Sequence, residues 1–549
     1  MMKSFKKWML IPIAFLGVWS YGQDEPSTDF EIYKNLELFE LVYKTIDMEY
    51  VDETNPGHLM KVGIDAMLAE LDPYTVYIPE SMMEDFKLMT TGQYGGIGAL
   101  IQQQGDKVVI TDPHEGFPAQ KGGLLAGDKF IEIDGKDVKG LSSGEVSDIL
   151  KGKPGSDVKI KVDRDGRIIE TTLTREEVKL SPVPYYGMVN EDVGYIKFTS
   201  FTQTAAADVS KAFTSLKGDG MEKLILDLRG NGGGLLIEAV KIVNMFVKKG
   251  EVIVWMKGRD NRNDVSYAAP LKPTDLKIPL VVLIDGGSAS ASEIVSGALQ
   301  DFDRAVILGQ TSYGKGLVQR PLDLKYNAKV KVTIAKYYTP SGRCIQKLDY
   351  SHRKEGEEAQ EVDETTLKTF KTRNGREVKD GRGIEPDVTI PERVFSRLTQ
   401  TLVIENIIFD FATKYRAKNE KIAPAGEFKV SDDLYNEFKA YVKTREFDYT
   451  TASGDLMSKL QETADDENYL EEAQAEFDAL MEKFKASKDR DLVKFKKEII
   501  EILEDEIIGR YYYQKGRIKH SLVDDPFILE AVEILNDTER YKSILNIQE

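Results

Sequence analysis

Three serines, Ser288, Ser290 and Ser292, sit at a turn-to-helix junction, and a lysine held between two glycines, Lys315 in Gly314-Lys315-Gly316, follows them. A serine hydroxyl becomes a nucleophile at neutral pH only when a base takes its proton. The chain has four histidines, His58, His114, His352 and His520, and none lies between Ser288 and Gln319. A lysine kept neutral by burial can replace the imidazole. Free lysine titrates near ~10.4, so burial has to lower this one by several units. The chemistry these residue types suggest is acyl transfer through a serine.

Each piece also has a plainer reading. Ser290 and Glu293 fit the capping box S-x-x-E, in which the serine opens a helix and does nothing else. The local sequence does not choose among the three serines. Residues 309–316 nearly match the phosphate-binding pattern G-x-x-x-x-G-K-[ST], but Gly316 replaces the hydroxyl residue that would hold magnesium, which argues against a nucleotide site. A solvated loop lysine is the remaining alternative. The run Asp227-Leu228-Arg229-Gly230-Asn231-Gly232-Gly233-Gly234 follows an apolar strand and opens a helix. Glycines there allow close backbone approach and aim N–H groups at an anion, as in half of an oxyanion hole, or they make a tight turn. In Tyr94-Gly95-Gly96-Ile97-Gly98-Ala99, a glycine loop before a strand suits a C-terminal carboxylate whose peptide adds as an extra strand. No H-E-x-x-H or paired C-x-x-C spacing occurs, which excludes a metallohydrolase, and acyl transfer through a serine needs no cofactor. The single cysteine, Cys344, cannot form an internal disulfide and reads as a small buried residue.

These segments need elements to hold them, and 549 residues are enough for three to four domains. The formal charge of −18 disfavours a nucleic-acid partner. Lys3, Lys6 and Lys7, the short apolar run Trp8–Trp19 and the small-x-small triplet Ser20-Tyr21-Gly22 predict an export signal over 1–22, hence a periplasmic protein, with an uncleaved N-terminal anchor as the alternative. Residues 28–89 have helical period, with apolar stripes at Leu36, Phe39 and Val42 and at Leu59, Val62 and Met67, until Leu71-Asp72-Pro73 breaks the second helix. Residues 92–178 switch to short strands with turns at Asp134-Gly135 and Asp165-Gly166 and a short helix over 143–150. Residues 180–395 alternate buried strands, 223–228 and 280–284, with helices at 236–246 and 289–302, which predicts an α/β core around a parallel sheet. A polar stretch over 347–380 reads as a surface loop. Residues 396–549 carry charged amphipathic helices, one expected over 491–508, that pack on an internal core or in a dimer.

Taken together, the segments resemble the carboxyl-terminal processing, or tail-specific, proteases of the S41 serine peptidase family. The likeness runs over about 35–395 and rests on Ser288 to Gln319, on the 227–234 and 94–100 loops, and on the PDZ-like run 116–135. It also includes Ala69-Glu70-Leu71-Asp72-Pro73-Tyr74-Thr75, Tyr338-Thr339-Pro340-Ser341-Gly342-Arg343 and Gly383-Ile384-Glu385-Pro386-Asp387. The resemblance implies a multidomain α/β fold: a ClpP/crotonase-like α/β protease core over 180–395, an inserted PDZ β-domain over 92–178, and helical N- and C-terminal regions. It implies Ser290 as nucleophile, Lys315 as general base and Gln319 as the residue that orients the lysine. It gives Ala291 with Gly233 or Gly234 as oxyanion donors, Asp301 in a supporting role, and Gly95, Gly96, Ile97 and Gly98 as the peptide-binding loop. The implied partners are exported proteins with exposed C-terminal tails; a homodimer through the helical ends and an adaptor protein stay open. Tyr313 stands where the family usually has phenylalanine, and Phe117 where a small serine is common. A non-catalytic PDZ adaptor on the same scaffold is the rival reading.

Overall fold

The computed structural model describes residues 28–353 and 356–548, so the expected export signal lies outside the described residues. The chain divides into two units, one ending at Ala69 and one beginning at Glu70. In the first, the helices Thr28–Glu49 and Pro56–Ala69 are joined by the Tyr43 hydroxyl, which donates to the Pro56 carbonyl at 2.7 Å. The expected stripes are present but exposed: Leu36, Phe39, Val42, Val62 and Met67 all face solvent within this unit. The second helix ends two residues before the predicted Leu71-Asp72-Pro73 break.

In the second unit, residues 99–174 form an antiparallel sheet whose strands run in the order Ala99–Gln104, Lys107–Pro113, Lys129–Ile133, Asp157–Arg164 and Arg167–Thr174. Val158, Ile160 and Val162 alternate into its core, as a half-buried strand requires. Asp134 and Asp165 take positive φ in front of their glycines, which makes the two hairpin turns. The helix Ser143–Leu150 is closed by a Ser142/Glu145 capping box and packs along the edge strand Ala99–Gln104. A ribbon of Gln93–Gly96 with Glu176–Lys179 brackets this insert where the chain enters and leaves it.

The central sheet has six strands in the order Tyr185–Met188, Val193–Lys197, Lys223–Asp227, Leu280–Ile284, Val306–Gly309 and Val388–Thr389, antiparallel in the first pair and parallel in the rest. Every residue of Leu280–Ile284 is buried, which an apolar run covered on both faces demands. One face carries the helices Ala205–Gly218, Leu236–Asn244 and Ala291–Asp301. The other is covered by the C-terminal helices Pro526–Asn536 and Thr538–Ile544, whose Ile528, Ala531, Ile534 and Leu535 pack on Ile225, Val281, Leu283 and Leu308. Three adjacent parallel strands thus end side by side, and from their carboxyl ends leave the glycine loop 228–234, the serine turn 285–290 and the lysine loop 310–316. Such ends are where open α/β sheets bind ligands.

Two expectations need correction. Residues 347–380 are not a plain surface loop. They form two short ribbons, Leu348–Asp349 with Gln360–Glu361 and Thr369–Lys371 with Glu377–Lys379. Arg376 from this stretch pairs with the carboxylates of Asp303 and Asp387. The composition read as solvated because its polar groups bond inward, to partners distant in sequence. The helix expected over 491–508 is two, Lys488–Lys494 and Lys496–Ser521, joined at Phe495, and Val493 is exposed. Ile499, Leu503 and Ile507 pack with Leu398, Leu402, Phe411 and Phe438, so this face is covered within the chain.

Candidate active site

Ser290 opens the helix Ala291–Asp301 with φ 55 and ψ −111. A residue with a Cβ avoids this region, and holding one there costs about 1–3 kcal/mol, a strain that collects at functional sites. The structure separates the three serines. Ser288 is fully buried, and its hydroxyl donates to the Leu228 carbonyl at 2.8 Å. Ser292 is fully buried too, and donates to the Asn231 carbonyl at 2.7 Å. Both brace the glycine loop. Ser290 alone is half-exposed at the turn.

Lys315 reaches the same place from the neighbouring strand end. Two side chains pin its backbone to that of Ser290. Oε2 of Glu293 accepts from the Ser290 N–H at 2.6 Å and from the Lys315 N–H at 3.0 Å. Its Oε1 accepts from the Gly314 N–H at 2.7 Å and the Ser312 hydroxyl at 2.6 Å. From the other side the Tyr337 hydroxyl contacts the Lys315 carbonyl at 2.6 Å and the Ser290 carbonyl at 3.1 Å. Glu293 and Tyr337 are both buried, and neither role was visible in the sequence. The S-x-x-E spacing pointed to Glu293 only as a cap.

The Lys315 amine makes no hydrogen bond to the Ser290 hydroxyl in this structure; it rests 4.1 Å from the centroid of the Tyr74 ring. Burial, helped by the like charge of Lys331, brings its pKa down to about 8, against the opposing pull of Glu293 and Asp72. Burial pushes the Glu293 carboxyl up while its four donors pull it back.

Gln319 donates to the Thr333 hydroxyl at 3.1 Å. A one-residue register shift after Val318 pairs Gln319 with Thr333 instead of the next residue in line. The shift matters because a one-residue change of register moves a side chain to the opposite face. It places Gln319 on the face of Lys329–Tyr338 that also carries Tyr337 and Lys331. Thr333 is joined in turn to Thr75, whose hydroxyl donates to Asp72 at 3.0 Å. The segment after Ala69 therefore supplies both the aromatic rest for the lysine and a polar chain to Gln319.

Gly233 packs directly on Ser290: a Cβ there would lie 2.9 Å from both the Ser290 Cβ and the Ala291 nitrogen. Its own N–H donates to Asn231 Oδ1 at 2.9 Å. Gly234 has φ 143, and a Cβ on it would strike the Phe201 carbonyl at 2.5 Å. The Ala291 N–H begins the helix and has no intrahelical acceptor. Asp301 lies at the far end of the same 11-residue helix, ~16 Å along its axis. There it accepts from the buried Arg343 at 2.9 Å and from the Ser341 N–H at 2.9 Å. The Tyr338–Arg343 and Gly383–Asp387 segments converge on that helix end: Gln300 accepts from Arg343 and donates to Asp387.

Just before the 99–174 sheet, Gly95 and Gly96 lie in the bracketing ribbon, and Ile97 is buried. The Ile97 carbonyl accepts from the Ala119 N–H, and the Gly98 carbonyl from the His114 N–H. Both carbonyls turn inward at the start of the edge strand. Gly98 has φ 70, and a Cβ would meet Phe117 at 2.4 Å, so the unusual Phe117 packs beneath this loop. Tyr313 is half-exposed, with its hydroxyl 3.4 Å from that of Tyr74. Cys344 is half-buried, and burial raises its thiol pKa, which marks it as unreactive. Among the described residues no cluster of His, Cys, Asp or Glu could hold a metal ion, and no helix is long and apolar enough to cross a membrane.

An α/β core that presents a strained serine at a strand-to-helix turn, with a neutralisable lysine pinned beside it and a PDZ-type insert, defines a class of serine peptidase. Residues 192–351 match peptidase family S41, 95–174 the PDZ domain, and 398–535 the C-terminal helical domain of PDZ-proteases. The chain is 36% identical to a carboxy-terminal-processing protease of Bartonella bacilliformis over 57% of its own length and 73% of that protein. It is 31% identical to a CtpA-like serine protease of Staphylococcus aureus over 76% and 78% of the two chains. A solved photosystem II D1 C-terminal processing protease is 30% identical, covering 64% of this chain and 92% of that one at a TM-score of 0.36. The chain belongs to the carboxy-terminal-processing serine proteases of family S41.

Proposed function

We propose that this chain is an endopeptidase that cuts exported proteins near their C-termini with a Ser290/Lys315 dyad, guided by the PDZ domain. The observation that carries this reading is the double pin, Glu293 and Tyr337, which binds the backbones of Ser290 and Lys315 to each other beside the glycine loop. The neutral Lys315 amine swings from the Tyr74 ring onto Ser290 and takes its proton. The Ser290 oxygen attacks the scissile carbonyl, and the new oxyanion receives the Ala291 N–H and one from the glycine loop. Gly233 keeps the loop close, and Gly234 is the better donor because the Gly233 N–H is committed to Asn231. The ammonium then protonates the leaving amine, and water hydrolyses the acyl-enzyme by the same route. Gln319 has its amide oxygen free to accept from the amine. Loose base-to-nucleophile geometry is common before substrate binds.

The pH profile tests the base. A lysine works only when deprotonated, so kcat/KM falls as pH drops through the folded-state value, with a midpoint near the Lys315 pKa of about 8. In Lys331→Met the like charge is gone, the amine holds its proton more firmly, and the acid limb moves to higher pH. At pH 7 this lowers kcat/KM about two- to tenfold. An acid limb that is flat from pH 9 to 6 in the wild-type chain excludes a lysine base. The tail reading has a separate test. Amidating the C-terminus of an unfolded substrate removes the carboxylate that the 95–98 loop would hold, and KM is expected to rise about tenfold or more with kcat little changed. Equal kinetics for acid and amide reject PDZ-guided entry and leave the dyad standing.

A further inference from the structure

The C-terminal helical region touches the catalytic loops through two residues at the start of the helix Pro526–Asn536. Oδ2 of Asp525 lies 2.8 Å from Nη1 of Arg229. The Arg229 guanidinium stacks over Phe527, 4.6 Å from the ring centroid. The same ring approaches Gly309, where a Cβ would come within 3.1 Å of it. Phe527 therefore lies under the roots of two loops, the glycine loop after Lys223–Asp227 and the lysine loop after Val306–Gly309.

Arg229 is the second residue of the glycine loop. Its other edge forks onto the fully buried Asp227, with Nε to Oδ1 at 3.0 Å and Nη2 to Oδ2 at 2.7 Å. Asp227 also receives the Tyr195 hydroxyl at 2.7 Å, and the Lys197 amine lies 3.2 Å away. Lys197 holds the Arg229 carbonyl at 2.9 Å, and the next N–H, that of Gly230, donates to Asp285 at 2.9 Å. Asp227 and Asp525 balance Arg229 and Lys197. Without Asp525 the set carries one uncompensated positive charge, and the outer edge of the guanidinium loses its carboxylate. Carboxylates on both edges of the planar guanidinium fix its orientation more tightly than the Asp227 fork alone.

We propose that Asp525 and Phe527 are positioning residues for the oxyanion loop: the terminal helices hold Arg229, Arg229 holds residues 230–234, and the catalytic centre is incomplete without them. This rests on the reading of 228–234 as an oxyanion loop. It gives the tail a part in the chemical step beyond covering the sheet.

The test uses the full-length chain. Asp525 also caps its own helix, accepting from the Phe527 N–H at 2.8 Å. Asp525→Ser keeps a capping hydroxyl but cannot reach Arg229, so it separates the two roles. Active sites are titrated with a fluorophosphonate, and kcat and KM are measured per titrated site on a peptide substrate. A peptide aldehyde, which mimics the tetrahedral state, gives a second binding constant. Asp525→Ser and Phe527→Leu are expected to lower kcat per site about tenfold, with KM within about twofold, and to weaken the aldehyde by the same factor as kcat. Asp525→Glu restores most of the loss. Wild-type kcat per site in Asp525→Ser, or a loss that comes only from fewer titratable sites, overturns the proposal. If Asp525→Ser does not fold, Asp525→Asn and Phe527→Leu are read by the same two criteria. A wild-type chain that neither labels nor turns over overturns the dyad as well, and is thereby distinguished from a failure confined to Asp525.

Discussion

Ser290→Ala and Lys315→Arg are each expected to lose peptide hydrolysis by about 10⁴-fold or more in kcat, while the fold survives. Alanine removes the hydroxyl proposed as the nucleophile. Arginine keeps the positive charge and much of the packing on Tyr74, but it cannot give up its proton. A lysine that served only to anchor the lysine loop would tolerate arginine, so this variant separates base from scaffold. Casein digestion and fluorophosphonate labelling report the chemistry, and thermal unfolding reports the fold. The strain at Ser290 adds an independent signature. At φ 55 an alanine keeps the penalty that the serine bears, whereas glycine does not. Ser290→Gly is therefore expected to be inactive and about 1 kcal/mol more stable than Ser290→Ala. Substantial activity in either Ser290 variant, or in Lys315→Arg, removes the dyad.

What could be read from the sequence was local. The buried strands 223–227 and 280–284 and the helix 143–150 follow from apolar runs and the turn residues around them, signals contained within a few positions. The register of the polar contacts was not local. The pairing of Gln319 with Thr333 depends on a skipped residue in a strand 14 positions away. The role of Asp72 depends on Thr75 meeting Thr333, 258 positions on. The stretch 347–380 read as a loop because nothing nearby shows that Arg376 has Asp303 and Asp387 to bond. The strained φ of Ser290 is equally invisible in composition. Glu293 shows the limit most clearly: the S-x-x-E spacing found the residue but not its reach to Ser312, Gly314 and Lys315, 19 to 22 positions away.

Glu293→Gln tests that reach. Three of the four partners of the carboxylate are backbone N–H groups, which can only donate. Glutamine offers one oxygen, so whichever way it turns, its NH₂ faces a backbone N–H. Each donor left unpaired in a buried site costs about 1–3 kcal/mol, enough to loosen the turn that joins Ser290 to Lys315. A fall in kcat of about 10²-fold is expected, with a lower unfolding temperature. The pH profile distinguishes this from simple damage. The Glu293 charge supports the protonated form of Lys315, so its removal lets the amine lose its proton more readily and carries the acid limb to lower pH, below the wild-type midpoint near 8. The variant should thus be slower yet relatively better preserved at pH 6.5 than at pH 9. Lost activity with an unmoved acid limb would mean that the carboxyl is a neutral brace; full activity would mean that Ser290 and Lys315 keep their geometry without it.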